Sequence, residues 1–167
     1  MDEPGDPSAP QRRLTTTRGE YLEGFSTLLR LARRDLRIFD PDLSQLDIDS
    51  TAQMDLLTRF LRESRARSVL IALHDLEHVT RHCPRLIALL GSFTGRISIN
   101  RTEGDAAKVQ DCFVLADGEH LIRRPVTAQA RGVLVIGDPK ECQPILERFG
   151  EIWESSVHGV SANTTGL

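Results

Sequence analysis

The stretch QDCFVLADG, residues 110–118, predicts a buried strand that runs into a tight turn. Its apolar centre, CFVLA, is followed by the dipeptide Asp117-Gly118, and a second strand-like run, EHLIRRP, comes directly after it. Asp-Gly between two such runs is a strong signal for a β-hairpin, because the favoured hairpin turn needs positive φ angles. We therefore place a hairpin here and interpret the rest of the chain around it.

Further strands and helices are predicted on both sides of this hairpin. Apolar runs bounded by turn residues predict strands at residues 36–43, 68–75, 96–102 and 132–137. Helices are predicted to begin at capping boxes headed by Thr17 and Ser50, near Pro84, and at Asp138. Because strands alternate with helices, the expected fold class is α/β, with a mixed β-sheet of about six or seven strands flanked by helices.

Length and local composition predict one folded domain between two tails. The chain of 167 residues is long enough to bury a stable core without disulfides. Residues 1–14 combine Pro, Gly, Ser and charge without apolar periodicity, so we expect a disordered tail or linker there. Residues 15–157 are predicted to form a single α/β domain, and residues 158–167 a disordered C-terminal tail.

Charge and hydropathy exclude several classes of protein. The formal net charge of -3 argues against a nucleic-acid partner, because nonspecific affinity comes from many Lys and Arg contacts to phosphate. Seven arginines between residues 11 and 37 face only three acidic residues, and we interpret them as a solvated helix face. No apolar run approaches the ~20 residues that span a bilayer, and the N-terminus does not have the apolar core of a secretory signal. We therefore expect a cytoplasmic protein.

Two groups of potential metal ligands do not predict a metal site. His74, His78 and His82 are four residues apart, but His74 ends a predicted strand and Pro84 interrupts the following helix. The second group consists of aspartates that flank turns and helix starts: Asp40, Asp42, Asp47 and Asp49. The sequence also has no Gly-rich phosphate loop. We expect neither a metal nor a cofactor.

The order of elements over about residues 18–156 resembles one half of a phospholipase-D-like fold. In that family the hairpin strand carries the motif H-x-K-x-x-x-x-D, followed by G-S. With the motif aspartate aligned on Asp117, Gln110 stands at the histidine position and Cys112 at the lysine position. Arg124 and Pro125 stand where the family has G-S. Only Asp117 matches the motif.

This resemblance implies that the domain is not an enzyme. In the active family the histidine attacks phosphorus, and the lysine stabilises charge on the phosphate oxygens. The amide of Gln110 is not a nucleophile and has no pKa near neutrality, so the covalent step fails. Cys112 carries no permanent positive charge to replace the lysine. We therefore expect a catalytically inactive domain that serves as a binding or regulatory module.

The resemblances also imply partners. The segments LRIFDPDL, RHCPRLIALL, DCFVLADG and FGEIWESS resemble a proteobacterial domain of unknown function that is sometimes found next to N-acetyltransferase domains. An attached or neighbouring acyltransferase is therefore one expected partner of this bacterial domain. The other is a second copy, because active phospholipase-D-like enzymes unite two halves across a twofold axis. We expect a homodimer with its interface beside the motif strand, near Gln110 and Asp117.

Two alternative functions stay open on the sequence. The first is an anion or phosphate-binding module, whose candidate residues are Arg123, Arg124, His120 and His74. The second is a divergent metal-dependent hydrolase, whose candidate carboxylates are Asp40, Asp75 and Asp117.

Overall fold

Strands and helices alternate along residues 9–162, the part of the chain that the computed structural model describes. The strands are β1 (Gln11–Thr15), β2 (Asp35–Asp40), β3 (Ser68–Leu73), β4 (Ile97–Arg101), β5 (Cys112–Ala116), β6 (His120–Arg124), β7 (Gly132–Ile136) and β8 (Val157–Val160). The helices are α1 (Arg18–Leu31), α2 (Thr51–Arg62), α3 (Glu77–His82), α4 (Pro84–Ser92) and α5 (Pro139–Glu154), and a short 3-10 helix covers Gly104–Lys108.

The strands of this part of the chain form one mixed sheet in the order β1-β7-β6-β5-β2-β3-β4-β8. Strands β2, β3 and β4 are parallel, and the other neighbouring pairs are antiparallel. Helices α2, α3 and α4 provide the crossovers that parallel strands need. The α/β prediction of a mixed sheet flanked by helices is confirmed.

The predicted hairpin lies inside this sheet. β5 and β6 pair antiparallel, and Asp117 and Gly118 between them have φ angles of 58° and 68°. These are the left-handed values that a tight hairpin turn needs. All five residues of β5 are buried, because the strand pairs with β2 and β6 inside the sheet and helices pack on both of its faces. The hairpin prediction is confirmed.

The core has two layers because alternate residues of a strand point to opposite faces of the sheet. On one face, Cys112, Val114 and Ala116 of β5 pack with residues of α1, α2 and α4. On the other face, Phe113 packs against Phe149 of α5. We call the two surfaces the three-helix face and the α5 face.

The first two helices begin where the capping boxes predict. The hydroxyl of Thr17 accepts a hydrogen bond from Glu20 N at 3.1 Å, and the hydroxyl of Ser50 accepts one from Gln53 N at 3.3 Å. Each bond satisfies one of the free N–H groups of the first helical turn. In the described residues, no helix has the length and apolar character needed to cross a membrane.

The N-terminal boundary of the domain is corrected. Residues 11–14, which we expected in a disordered tail, belong to β1, which pairs with β7 along its whole length. All side chains of β1 before Thr15 are exposed, so the strand has no apolar pattern that the sequence could reveal. It joins the sheet through backbone hydrogen bonds at an edge.

The C-terminal boundary is corrected in the same way. Residues 158–160, expected in the second tail, belong to β8, which pairs with β4 at the other edge of the sheet. Gly159 permits this, because a Cβ there would lie 3.1 Å from the carbonyl oxygen of Ile99. The two edge strands bring the sheet to eight strands, against the six or seven expected. The predictions for residues 1–8 and 163–167 lie outside the described residues.

Candidate functional site

A cavity of about 260 Å³ lies on the three-helix face, at one edge of the sheet. The cavity lies where the strands end: β2 ends there at Asp40, β5 begins at Cys112 and β6 ends at Arg124. We call this line of strand ends the motif edge, as distinct from the outer strands β1 and β8. The cavity is lined by these three residues and by two connections that follow β2 and β6: Pro41, Asp42, Ser44, Gln45, Thr127 and Ala128. The C-terminal ends of sheet strands are common ligand sites in α/β proteins.

Asp40 supplies a buried carboxyl group to the cavity wall. Only 5% of the residue is exposed. Its Oδ2 accepts hydrogen bonds from Leu43 N at 2.7 Å and from Asp42 N at 3.2 Å. Its Oδ1 accepts no hydrogen bond from residues 9–162. Burial raises the pKa of Asp40 to about 6, and the two backbone hydrogen bonds only partly oppose this effect. The free oxygen can therefore accept a hydrogen bond from a ligand.

Arg124 holds the other side of the cavity in place. It is 5% exposed and donates from Nε to Gln129 O at 2.9 Å, from Nη1 to Gln45 Oε1 at 2.7 Å, and from Nη2 to Thr127 O. Its guanidinium also lies 5.2 Å from the centre of the Tyr21 ring. These contacts tie the connections after β2 and β6 to helix α1. Arg124 therefore shapes the cavity, and most of its hydrogen-bonding capacity is used within the protein.

Cys112 places a neutral thiol at the lysine position of the motif. The residue is 2% exposed, and its Sγ lies 3.6 Å from the hydroxyl oxygen of Tyr21. Burial, and then the nearby carboxyl of Asp40, raise the pKa of the thiol to about 11. At neutral pH it is protonated, so it offers neither a positive charge nor a thiolate nucleophile.

Gln110 and Asp117 lie on either side of this thiol along the chain. Gln110 is exposed in the connection before β5, and its carbonyl oxygen accepts a hydrogen bond from Thr127 N at 2.8 Å. Asp117 lies at the opposite edge of the sheet, five residues and roughly 16 Å further along the hairpin. Asp117 therefore does not share a site with Gln110 and Cys112.

Asp117, the residue that matches the motif, has a structural role. Its carboxylate accepts hydrogen bonds from three consecutive backbone N–H groups, those of Arg33 (2.9 Å), Arg34 (2.7 Å) and Asp35 (3.1 Å). These groups belong to the connection between α1 and β2. The bonds fasten the hairpin turn to that connection. This role of the Asp117 carboxylate in the structure does not require catalysis.

The anion site predicted from the hairpin arginines is not assembled, and this expectation is corrected. Arg123 and Arg124 are neighbours in β6, so their side chains lie on opposite faces of the sheet. His74 lies at the motif edge, with Nδ1 2.6 Å from Thr102 Oγ1 and Nε2 2.9 Å from Val109 O. His120 lies at the opposite edge, where its Nδ1 accepts from Gly137 N at 2.9 Å. The four side chains share no cavity.

Arg123 belongs to an ion cluster on the α5 face that the sequence did not reveal. Its Nε donates to Asp111 Oδ2 at 3.1 Å, and both Nη atoms of Arg148 in α5 donate to the same carboxylate. Asp111 is 4% exposed; burial alone would raise its pKa, but the hydrogen bonds and charges of Arg148 and Arg123 lower it overall. No local pattern links residues 37 positions apart, so only the fold could show this cluster.

The candidate carboxylates of a hydrolase are also separated. Asp75 is exposed, and its Oδ1 accepts from Glu77 N at 2.7 Å at the start of α3. Asp117 approaches Glu119 and His120 closely enough to consider a metal. Its oxygens, however, already accept three backbone hydrogen bonds, and the acceptor role of Nδ1 leaves Nε2 of His120 protonated. This donor set does not fit a metal ion.

A family model and two solved structures relate this chain to known proteins over most of its length. The model of a family described as "Domain of unknown function (DUF7931)" matches residues 17–162. Nuc from Salmonella typhimurium, a phospholipase D family member, is 13% identical with a TM-score of 0.64; the match covers 92% of this chain and 100% of Nuc. NucT from Helicobacter pylori is 13% identical with a TM-score of 0.61, covering 90% of this chain and 100% of NucT.

Two further matches cover smaller shares of the other protein. TrmBL2, an archaeal chromatin protein with a novel mode of DNA binding, is 14% identical with a TM-score of 0.66, covering 89% of this chain and 55% of TrmBL2. The phosphonates import ATP-binding protein PhnC 2 of Pseudomonas savastanoi pv. phaseolicola is 26% identical over 100 residues, which are 60% of this chain and 35% of PhnC 2. The chain thus spans about a third of PhnC 2 and about half of TrmBL2. The structural similarities show the fold, which is phospholipase-D-like.

Proposed function

This chain belongs to the DUF7931 family and has a phospholipase-D-like fold, and we propose that it is a catalytically inactive domain of that fold which acts as a binding or regulatory module. The observation that carries the proposal is the state of the motif edge. An exposed amide, Gln110, and a protonated thiol, Cys112, stand where the motif has its nucleophile and its cation. Neither group can form a phosphoenzyme or stabilise charge on phosphate oxygens.

The cavity at the motif edge supports a binding role. Arg124 holds its walls through four contacts, and Asp40 presents a carboxylate oxygen without a partner in residues 9–162. This oxygen lies in a residue of the cavity wall, so a molecule in the cavity can donate a hydrogen bond to it. We infer that the cavity accepts a small polar molecule that donates a hydrogen bond to Asp40.

The rival functions have less support. An anion module built on Arg123 and Arg124 would need both guanidinium groups in one site, but they lie on opposite faces and are engaged with protein atoms. A metal-dependent hydrolase would need carboxylates that converge, whereas Asp75 and Asp117 are bound to backbone N–H groups in separate places. The ATP-binding role in the name of PhnC 2 is not carried over, because this sequence has no G-x-x-x-x-G-K-[ST] loop.

A phosphodiesterase assay tests the loss of catalysis. We expect no turnover of bis(p-nitrophenyl) phosphate by the full chain, and the same baseline for the Gln110→Ala variant. Turnover by the wild type that disappears in the variant would contradict the proposal.

A thermal-shift screen of small polar molecules tests the binding role. A ligand of the motif-edge cavity should raise the Tm of the wild type and not that of Asp40→Ala. Asp55→Ala, at an exposed position of α2, is the control for loss of one carboxylate. A ligand that stabilises all three proteins equally binds elsewhere, and such a result would count against the cavity.

Self-association is the second part of the proposal. A homodimer would restore the paired arrangement of the phospholipase-D-like enzymes, and an attached or neighbouring acyltransferase is the alternative partner. In residues 9–162, Val126 is an exposed large apolar side chain in the connection that follows β6 at the motif edge. Light scattering over a dilution series should give a mass of about twice 18.6 kDa. A monomer mass at tens of micromolar would remove the homodimer and favour the attached enzyme.

A further inference from the structure

A second cavity, of about 190 Å³, lies at the edge of the sheet opposite to the motif edge, where α1 and α2 end. The charged side chains of its wall come from the last turns of the two helices and the connections after them: Arg30, Arg33, Arg59, Arg67 and Glu63. We call it the arginine cavity. We propose that this cavity binds a phosphate group, a role that is independent of the motif edge.

The wall of the arginine cavity is positively charged even after its carboxylate and the two helix ends are considered. Four guanidinium groups outnumber the single carboxylate in the wall by three. The C-terminal ends of α1 and α2 point toward the same place, and each is equivalent to roughly half a negative charge. About two positive charges remain. The domain as a whole carries a formal charge of -3, so this is a local concentration of arginine that the net charge conceals.

Two of the four arginines are accounted for by contacts within the protein. Arg67 donates from Nη1 to Phe60 O at 3.2 Å, lies over the Phe60 ring and reaches Glu63 Oε2 at 3.2 Å. Arg59 donates from Nε to Glu63 Oε1 at 3.3 Å. Glu63 is therefore shared between two guanidinium groups, and neither of its oxygens is left for the other two arginines.

Arg30 and Arg33 have no such explanation. Both are exposed at the end of α1, and neither guanidinium contacts an acceptor in residues 9–162. The backbone N–H of Arg33 binds Asp117, but its side chain is not part of that contact. Unpaired like charges around one cavity repel each other, so their arrangement is unfavourable unless an anion lies between them.

The described residues also contain a buried donor without an acceptor. It is the Nε atom of Arg67, a residue that lines the cavity with other parts of its structure. Buried donors of this kind are rare, because the missing hydrogen bond costs stability. A phosphate group has three strong acceptor oxygens and up to two negative charges, whereas a carboxylate has two oxygens and one charge. Phosphate therefore matches a cavity with several arginines and about two excess positive charges.

Titration of the full chain with inorganic pyrophosphate in a calorimeter tests this proposal. The variant Arg30→Ser/Arg33→Ser removes the two unpaired guanidinium groups. Arg18→Ser/Arg131→Ser is the matched control, because both residues are exposed, have no side-chain hydrogen bond or ion pair in residues 9–162 and lie toward the motif edge. Exposed arginines contribute little to stability, and thermal melts should show that both variants fold.

We expect saturable binding of pyrophosphate by the wild type, at least tenfold weaker in Arg30→Ser/Arg33→Ser and within about twofold of wild type in the control. Absence of saturable binding, or equal weakening in both variants, would overturn the proposal. A labelled DNA duplex, measured by fluorescence anisotropy at several salt concentrations, identifies the source of the phosphate. If the phosphate belongs to a nucleic-acid backbone, the plot of log affinity against log salt concentration should be less steep for Arg30→Ser/Arg33→Ser. The decrease in slope should correspond to the loss of about two phosphate contacts. Duplex binding that is equal in the two variants, together with the pyrophosphate result, assigns the cavity to a small phosphorylated molecule.

Discussion

Replacing Asp40 by Asn should make the protein more stable at neutral and alkaline pH, and the gain should vanish in acid. Burial raises the pKa of Asp40 from an ordinary 3.8 to about 6, so the ionised form is disfavoured in the folded chain. Each pKa unit corresponds to about 1.4 kcal/mol, and a shift of about two units therefore costs about 3 kcal/mol when the group is fully ionised. The asparagine Oδ1 can still accept the hydrogen bond from Leu43 N.

The sign of the pH dependence follows from the raised pKa. Below pH 3.8 the group is protonated in both the folded and the unfolded chain, so wild type and Asp40→Asn should differ little on this account. As the pH rises through 3.8, the unfolded chain ionises first and the wild type loses stability relative to the variant. The loss is complete once the pH exceeds about 6. Between pH 4 and pH 8, the difference in the free energy of unfolding should grow by about 2–3 kcal/mol.

Urea denaturation of both proteins across this pH range measures the difference directly. Other groups titrate equally in the two proteins, so their contributions cancel in the comparison. Asp55→Asn, at an exposed position of α2, controls for the change in net charge. A difference that stays constant from pH 4 to pH 8 would refute the reasoning, because it would mean that the folded chain does not disfavour the ionised carboxylate.

Three other changes test contacts elsewhere in the fold. Asp111→Asn leaves Arg123 and Arg148 without their shared carboxylate and should lower the free energy of unfolding by about 2–3 kcal/mol at pH 7. Because the pKa of Asp111 is lowered, urea denaturation should show a smaller loss of stability at acid pH than at pH 7. A loss of the same size at acid pH would contradict this prediction. Gly132→Ala places a Cβ 2.6 Å from Arg123 O and should lower the free energy of unfolding by about 1–3 kcal/mol. Gly150→Ala, on an open surface of α5, should raise it by about 1 kcal/mol. Thermal melts in which both variants shift the Tm in the same direction would disprove this. Deletion of residues 1–15 removes β1 and should lower the Tm by about 5 °C relative to deletion of residues 1–10, and identical melts would mean that β1 adds nothing.

Local signals predicted the interior of the domain well. The Asp117-Gly118 turn, the capping boxes at Thr17 and Ser50 and the buried runs of β2, β3 and β7 are all found where the sequence indicates them. Each signal depends on residues close together in the chain, such as a turn that needs positive φ or a hydroxyl that caps the next three residues. Contacts of this range do not depend on the rest of the fold.

The edge strands could not be predicted in the same way. β1 exposes all of its side chains before Thr15, and β8 has only Val160 buried, so neither shows an alternating pattern. The pairing of Arg123 and Arg124 in one site failed for a different reason: adjacent residues of a strand point to opposite faces, and the sequence already contained that information.

The sequence by itself determined that Gln110 and Cys112 carry neither an imidazole nor an ammonium group, because side-chain identity does not depend on the fold. Only the tertiary structure decided which groups meet at the motif edge. Asp40, Cys112 and Arg124 come from three strands, and Tyr21 from a helix 91 residues before Cys112. Burial by these distant segments turns an ordinary aspartate into one with a pKa of about 6 and an ordinary thiol into one near 11. The physical reason is that desolvation depends on what surrounds a group in space, whereas the sequence records only its neighbours along the chain.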